Sequence, residues 1–359
     1  MKTTLTTLAL ASGLALTGCS SIGPGTVPRD RSDYSSSIGD SWKRQTLLNI
    51  VKLRYVDPPI FVDVGQIVAG YQFSTSANVG AGWASASSVT PNRALTLGAQ
   101  GLYTDRPTIT YVPMTGNKFV KGLMTPLPPE AVFFTIQSGW PADAVLFASA
   151  ASLNGLKNQE TSITGVTPPD PDFLRVLQLL RKIQLSGAMS MRVQTDTQKN
   201  QTTLLTVRAK DVPPEIAECG REVRRLLRLD PDAQEFKLVF GSTPANNQEV
   251  AVITRSLMQQ MATMCSQVEV PPEDVSQGRA APGWEAVAGN TNVVRLIQIK
   301  CSKTKPADAF VTVDYRNHWF WIDDRDLKSK RVFSFMMMLF TLADTGEKEN
   351  LPLITIPAQ

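Results

Sequence analysis

The segment Tyr71–Trp83, YQFSTSANVGAGW, alternates between two kinds of residue over its whole length. Its even positions are polar or glycine, and its odd positions are mostly apolar, with aromatic residues near both ends. The odd positions are Tyr71, Phe73, Thr75, Ala77, Val79, Ala81 and Trp83. A two-residue period predicts a β-strand whose two faces differ in polarity.

A second segment, from Arg93 to Tyr103, repeats this pattern. One face carries the apolar residues Leu95, Leu97, Ala99 and Tyr103, and the other carries Thr96, Gly98 and Gln100. Residues 87–92, which include Pro91, predict a turn between the two segments. We therefore expect a long antiparallel hairpin.

The hairpin has two interpretations. Uncharged strands of this length, with aromatic residues near their ends, are typical of strands that span an outer membrane. A single hairpin would leave unpaired backbone groups in lipid, so it would have to join hairpins of other copies in an oligomeric pore. The residues of such a membrane hairpin are Tyr71, Phe73, Trp83, Leu95, Leu97 and Tyr103. Alternatively, one face packs on the protein's own core and the other faces water, because half-buried antiparallel strands alternate in the same way.

The amino-terminal segment carries a predicted localisation signal. Lys2 precedes an apolar run that begins at Leu5 and ends in Leu16-Thr17-Gly18-Cys19. The run is too short for a stable transmembrane helix and predicts a secretory signal peptide over residues 1–18. Leu-Thr-Gly-Cys resembles the lipobox of bacterial lipoproteins. The resemblance implies cleavage before Cys19, acylation of Cys19 and, because Ser20 follows, sorting to the outer membrane of a Gram-negative cell.

Composition is that of an ordinary globular protein, with 42% hydrophobic and 19% charged residues. Cleavage before Cys19 would leave 341 residues and lower the net charge from +4 to +3. So small a charge argues against a nucleic-acid partner. Three further cysteines, Cys219, Cys265 and Cys301, allow one disulfide and one free thiol in an oxidising compartment, or three buried thiols. Their pairing stays open, and their spacing predicts no metal site.

The remaining patterns predict an α+β fold: an amino-terminal helix, the long hairpin and a helix pair, followed by a mixed α/β region with antiparallel hairpins. Predicted helices cover 40–55, 128–138, 142–153, 173–185, 213–229, 248–265 and 328–343. Predicted strands cover 60–68, 189–195, 203–209, 236–240, 293–300, 310–315, 318–322 and 351–356. The expected regions are a signal peptide (1–18), a lipidated cysteine with a flexible tether (19–37), a helix, hairpin and helix-pair region (38–160) and an α+β domain (168–359). The polar residues 155–171 predict the domain boundary.

Few residues are candidates for catalysis, metal binding or ligand binding. His318 is the only histidine in the sequence. A histidine-based catalytic triad or a metal site with histidine ligands would therefore have to be built around this one residue. Asp323 and Asp324 lie close by, and Trp319 and Trp321 could stack on sugar rings or grip a peptide. The alternatives are that the aromatic residues belong to the core and that the acidic segment is a turn in which Asp326 caps a helix. No cofactor motif is present.

Four arginines, Arg221, Arg224, Arg225 and Arg228, line one side of a predicted helix. They could meet acidic lipid headgroups, but a solvated face bridged to Glu218 and Glu222 is the commoner arrangement. Taken together, the sequence predicts a lipid-anchored envelope protein that acts by binding or assembly rather than catalysis, with an envelope protein or further copies of itself as partner. The competing class is a periplasmic hydrolase of cell-wall or glycan material, based on Asp323, Asp324 and His318.

Overall fold

The computed structural model describes residues 22–83, 93–115, 117–162, 165–195, 201–208, 211–283 and 294–343. The predicted α+β fold is confirmed. The chain forms two compact units, one comprising Met1–Ser41 and Val62–Met114 and the other Trp42–Phe61 and Thr115–Gln359. This division differs from the predicted boundary within 155–171, which falls inside the second unit because strands on both sides of it share one sheet.

The first unit contains two two-stranded sheets. Its strands are β1 (Phe61–Val68), β2 (Tyr71–Trp83), β3 (Arg93–Asp105) and β4 (Thr108–Met114). β1 pairs with β4, and β2 pairs with β3. Between the two pairs, the Arg106 amide donates a hydrogen bond to the Gly70 carbonyl at 2.9 Å. The predicted hairpin is therefore present, while the predicted turn at 87–92 lies outside the described residues.

The helix α1 (Ile22–Arg54) begins in the first unit and continues into the second. Its carboxyl-terminal part was predicted as a helix from residue 40. The flexible tether predicted up to residue 37 is wrong from Ile22 onward, because these residues are helical. The serine and glycine content of this segment favours a flexible tether. A tertiary contact of Asp30, described below, fixes the segment instead, because such contacts override weak local propensities.

The second unit is built on a six-stranded sheet in the order β6-β5-β12-β11-β10-β9. Its strands are β5 (Ala150–Leu153), β6 (Leu156–Lys157), β9 (Met189–Thr195), β10 (Gln201–Val207), β11 (Glu235–Phe240) and β12 (Glu249–Thr254). The β11–β12 pair is parallel and the other neighbours are antiparallel. A small separate hairpin is formed by β7 (Glu160–Ser162) and β8 (Gly165–Thr167).

Helices pack on this sheet through apolar stripes. The helix α2 (Asn117–Met124) contacts the later helix Leu257–Cys265. The helices on the sheet are α3 (Pro129–Gln137), α4 (Ala142–Ser149), α5 (Pro171–Leu185) and α6 (Pro214–Leu226). The predicted stripe of α5 is confirmed as buried and comprises Phe173, Val176, Leu177, Leu180 and Ile183. Contacts of α3 with β9, β11 and β12 place Val132, Phe133 and Ile136 in the same core.

Two predicted helices are each split into a strand and a helix. Residues 142–153 form α4 and then β5, and residues 248–265 form β12 and then α7 (Leu257–Cys265). β5 and β12 pair inside the sheet and are almost wholly buried, and such strands carry continuous apolar runs that periodicity does not separate from helices. A local signal was missed: Ser256 and Gln259 form a capping box, which marks the start of α7.

A second sheet has three strands in the order β13-β15-β14, namely β13 (Lys300–Ser302), β15 (His318–Asp323) and β14 (Ala309–Tyr315). The helix α9 (Leu327–Ala343) packs on β15 and on α7. A short helix, α8 (Pro272–Ser276), lies in a stretch for which neither a helix nor a strand was predicted. The strand predicted over 293–300 is wrong for residues 294–298, and only Lys300 of it belongs to β13. The predicted strand 351–356 lies outside the described residues.

The three described cysteines are free thiols, with Cys219 buried and Cys265 and Cys301 half-buried. The buried-thiol alternative therefore describes them better than a disulfide. Among the described residues, no helix combines the length and the apolar character needed to cross a bilayer.

Candidate functional site

The β2–β3 register brings the predicted apolar positions of both strands to one side of the β2–β3 hairpin. Pairing runs without a break from Tyr71 opposite Asp105 to Trp83 opposite Arg93. Directly paired residues of an antiparallel ladder point to the same side, so the odd positions of both strands share one face. This odd face comprises Tyr71, Phe73, Thr75, Ala77, Val79, Ala81 and Trp83 of β2 and Arg93, Leu95, Leu97, Ala99, Gly101, Tyr103 and Asp105 of β3. Its charged positions are confined to the two ends.

The opposite, even face is polar or small along most of its length. It comprises Gln72, Ser74, Ser76, Asn78, Gly80 and Gly82 of β2 and Ala94, Thr96, Gly98, Gln100, Leu102 and Thr104 of β3. Leu102 is its one large apolar residue. The hairpin therefore has two chemically distinct sides, and its charged positions lie only at its two ends.

Within the described chain, no third strand pairs with β2 or β3. Among the residues that the structure describes, both long edges of this hairpin therefore lack a paired strand. Residues 98–103 are exposed on both faces, including Ala99 and Tyr103 on the odd face and Leu102 on the even face. Within its own compact unit, this part of the hairpin is therefore exposed on both sides.

The length of the odd face matches a bilayer. Phe73 and Trp83 are ten positions apart in β2, which corresponds to about 34 Å along an antiparallel strand. A tilt of about 40° from the membrane normal reduces this to about 26 Å, close to the apolar band of outer-membrane strands. Aromatic residues lie near both ends of that span: Tyr71, Phe73 and Tyr103 at one end and Trp83 at the other.

One end of the odd face contacts the amino-terminal helix, a relationship that sequence patterns did not reveal. The Tyr71 hydroxyl donates a hydrogen bond to Asp30 Oδ2 at 2.5 Å, and Arg29 Nη2 lies 3.1 Å from Asp30 Oδ1. The Tyr71 and Tyr103 rings stack with their centroids 6.3 Å apart. The Tyr71 hydrogen bond lowers the pKa of the Asp30 carboxyl, and a hydrogen bond with Tyr103 raises the pKa of Arg29. We call these four residues the helix–hairpin contact.

Comparison with known proteins found no matching family model, no matching curated protein and no matching solved structure.

The second candidate region is the aromatic strand β15, whose residues divide between two sides. Phe320 and Ile322 are fully buried, whereas Trp319 and Trp321 are half-buried. The Lys305 ammonium lies over the Trp319 ring, 5.3 Å from its centroid. The core interpretation therefore holds for Phe320, whereas the two tryptophans are only partly enclosed.

The residues proposed for hydrolysis already have partners. His318 Nδ1 lies 3.1 Å from the Arg316 carbonyl oxygen. Lys300 Nζ contacts Asp323 Oδ2 at 2.9 Å, which lowers the pKa of this carboxyl, and Lys330 Nζ contacts Asp324 Oδ1 at 2.7 Å. No group of three or more metal-ligating side chains was found in the described part of the chain.

The predicted cap at the start of α9 is present. Asp326 Oδ1 accepts a hydrogen bond from the Ser329 amide at 3.0 Å, and Asp326 Oδ2 accepts one from the Ser329 hydroxyl at 2.5 Å. The structure therefore supports the interpretation of the acidic segment as a turn in which Asp326 caps α9.

The arginine face of α6 is only partly solvated, which corrects the prediction. Arg224 is buried, donates to the carbonyls of Val207 and Ala233 at 2.8 and 2.9 Å, and lies over the Phe236 ring. The remaining contacts are on the surface: Arg221 pairs with Glu218, and Glu222 pairs with Arg175. Arg224 is therefore a structural residue rather than part of a docking surface.

Proposed function

We propose that this protein is a lipid-anchored component of the bacterial outer membrane that acts by assembly. In the proposed assembly, β2–β3 hairpins of several copies pair edge to edge and enclose an oligomeric pore. The odd face contacts the acyl chains of the membrane, and the even face lines the water-filled interior. Acylated Cys19 holds each copy at the membrane before and after assembly.

The register of the hairpin carries this proposal. It collects the apolar positions of two separate segments on one face, with aromatic residues at both ends and charges only at the margins. Such a face is unfavourable in water and favourable against lipid. The length of the odd face also fits the apolar thickness of an outer membrane. The odd face and the lipid therefore match both in length and in polarity.

The unpaired edges supply the reason for assembly. Backbone groups within the hydrocarbon region must be hydrogen-bonded, because no water is available there to satisfy them. A hairpin from a second copy presents the same backbone pattern and can pair with each edge. Pairing between copies therefore satisfies the edges that remain open in one described chain.

The hydrolase alternative draws no support from the described geometry. Asp323 and Asp324 are engaged by lysines, and His318 contacts a backbone carbonyl. A paired-carboxylate hydrolase needs two acids held across a cleft, with one of them available as a proton donor. Assembly is therefore the function that the hairpin and the lipobox resemblance favour together.

The test is membrane and size fractionation of the detergent-extracted native protein beside a hairpin deletion. Removal of residues 71–105 joins Gly70 to Arg106, whose backbone groups already hydrogen-bond, so the β1–β4 pair can close with a short turn. We expect the native protein to sediment as a large oligomer and the deletion variant to remain membrane-bound but monomeric. A native monomer, or an oligomer unchanged by the deletion, would overturn the proposal.

A matched control separates the anchor from the hairpin. The variant Cys19→Ser removes the acylation position and leaves β2 and β3 intact. We expect it to escape lipid attachment, as shown by loss of fatty-acid incorporation. Retention of fatty acid in this variant would show that Cys19 is not the anchor.

A further inference from the structure

We infer that the hairpin enters the membrane from the leaflet that holds Cys19, with its Tyr71–Tyr103 end at that interface and its Trp83–Arg93 end at the opposite one. This inference rests on the proposed function and adds the orientation of the hairpin. It follows from the helix–hairpin contact, the charges around that contact and the reach of the chain between Asp30 and Cys19.

The first step is the distance from the contact to the anchor. Asp30 is eight residues from Ile22 along α1, which corresponds to about 12 Å of helix. Cys19 precedes Ile22 by three residues, which extend over at most about 10 Å. The lipid attachment is therefore within about 22 Å of the end of the hairpin that touches Asp30.

The second step is the polarity of the helix at this point. Arg29, Arg31 and Asp33 are exposed, and Asp30 accepts the Tyr71 hydrogen bond beside them. So dense a group of charges is costly inside the hydrocarbon region, so this part of α1 has to lie in water or among headgroups. The Tyr71–Tyr103 end is consequently held at the membrane–water boundary, where tyrosine rings are favoured.

The third step excludes the opposite interface for the anchor. Twelve positions separate Tyr71 from Trp83, which correspond to about 41 Å along the strand, or about 31 Å across the membrane at a tilt near 40°. A reach of about 22 Å from Asp30 does not span that distance. The acyl chains therefore enter from the same side as the Tyr71–Tyr103 end.

Labelling with a membrane-impermeant thiol reagent, coupled to a polymer too large to pass through a pore, tests the orientation in the full-length, membrane-bound protein. Ser36→Cys reports the side of α1, Thr108→Cys the base of the hairpin, and Ser88→Cys the segment between β2 and β3. Ser36 and Thr108 are exposed, so these substitutions leave packing intact. The unsubstituted protein gives the background of the native cysteines, and each variant is labelled before and after the membrane is permeabilised.

We expect Ser36→Cys and Thr108→Cys to label on one side of the membrane and Ser88→Cys to label on the other. Labelling of Ser88→Cys together with Ser36→Cys, with Thr108→Cys on the opposite side, would overturn the inferred orientation while preserving a crossing hairpin. Labelling of all three on one side would show that the hairpin does not cross, and the proposed function would fail with the inference.

Discussion

Ala77 lies directly opposite Ala99 in the β2–β3 ladder, on the odd face and near the middle of its aromatic-bounded span. The next position of β3, Gln100, lies on the even face opposite Ser76. Ala99 and Gln100 are both exposed in the described chain. These two neighbouring, exposed residues thus lie on opposite faces of the hairpin.

This pair allows a matched test of the two faces. We expect Ala99→Arg to oppose insertion by about 2–4 kcal/mol, the cost of a cation near the bilayer midplane on a lipid-facing strand position. Gln100→Arg, which would face water in the pore, should insert and assemble as the unsubstituted protein does. The measurement is the fraction of protein in the membrane-bound oligomer. Equal behaviour of the two variants would contradict the assignment of the faces.

The free thiols predict slow reaction with disulfide reagents. Burial raises the pKa of Cys265 and that of Cys301 from 9.0 to about 11. Below these values, a rise of two pKa units leaves about 100-fold less thiolate, and the thiolate is the reacting form. We therefore expect both to react slowly at pH 8 and faster as the pH approaches 11, followed by a colorimetric thiol assay. Without reductant, the unfolded acylated protein should release three thiol equivalents, whereas a single equivalent would indicate a disulfide.

Buried Arg255 predicts a large loss of stability on substitution. Its side chain is 5% exposed, and its guanidinium donates to the carbonyls of Phe147, Ala148 and Gln159. Burial lowers its pKa to about 10, so it remains charged at neutral pH. We expect Arg255→Met to lower the free energy of unfolding by about 3 kcal/mol, because buried acceptors lose their donors.

The control is Arg221→Met, at a position where the arginine is exposed and pairs with Glu218. Surface ion pairs contribute little, so this change should alter the free energy of unfolding by less than about 1 kcal/mol. Urea denaturation followed by circular dichroism compares the two variants. A similar midpoint for both would show that Arg255 does not hold the carbonyls together.

The two sides of β15 predict opposite responses. Phe320→Ala removes a fully buried ring and should cost about 3–5 kcal/mol. The double change Trp319→Ala with Trp321→Ala removes half-buried rings and should leave the protein folded with a smaller loss. Urea denaturation gives both values. A double variant that unfolds as readily as Phe320→Ala would place the tryptophans in the core after all.

The sequence by itself determined the elements whose pattern is local. A two-residue period along 71–83 and 93–103 specified both strands of the hairpin and the residues of each face. The three-to-four spacing of Phe173, Val176 and Leu180 specified the buried side of α5 in the same way. In each case neighbouring residues encode the geometry, because side chains alternate along a strand and recur each turn along a helix.

Only the tertiary structure decided features that depend on distant partners. β5 and β12 are strands because they pair with each other, although their apolar runs also suit a helix. Residues 22–37 are helical where composition predicted a tether, and Asp30 contacts Tyr71 across 41 positions of the chain. Long-range pairing and burial contribute free energies that exceed local propensities, so the partner of a segment, and not its own composition, sets its final form.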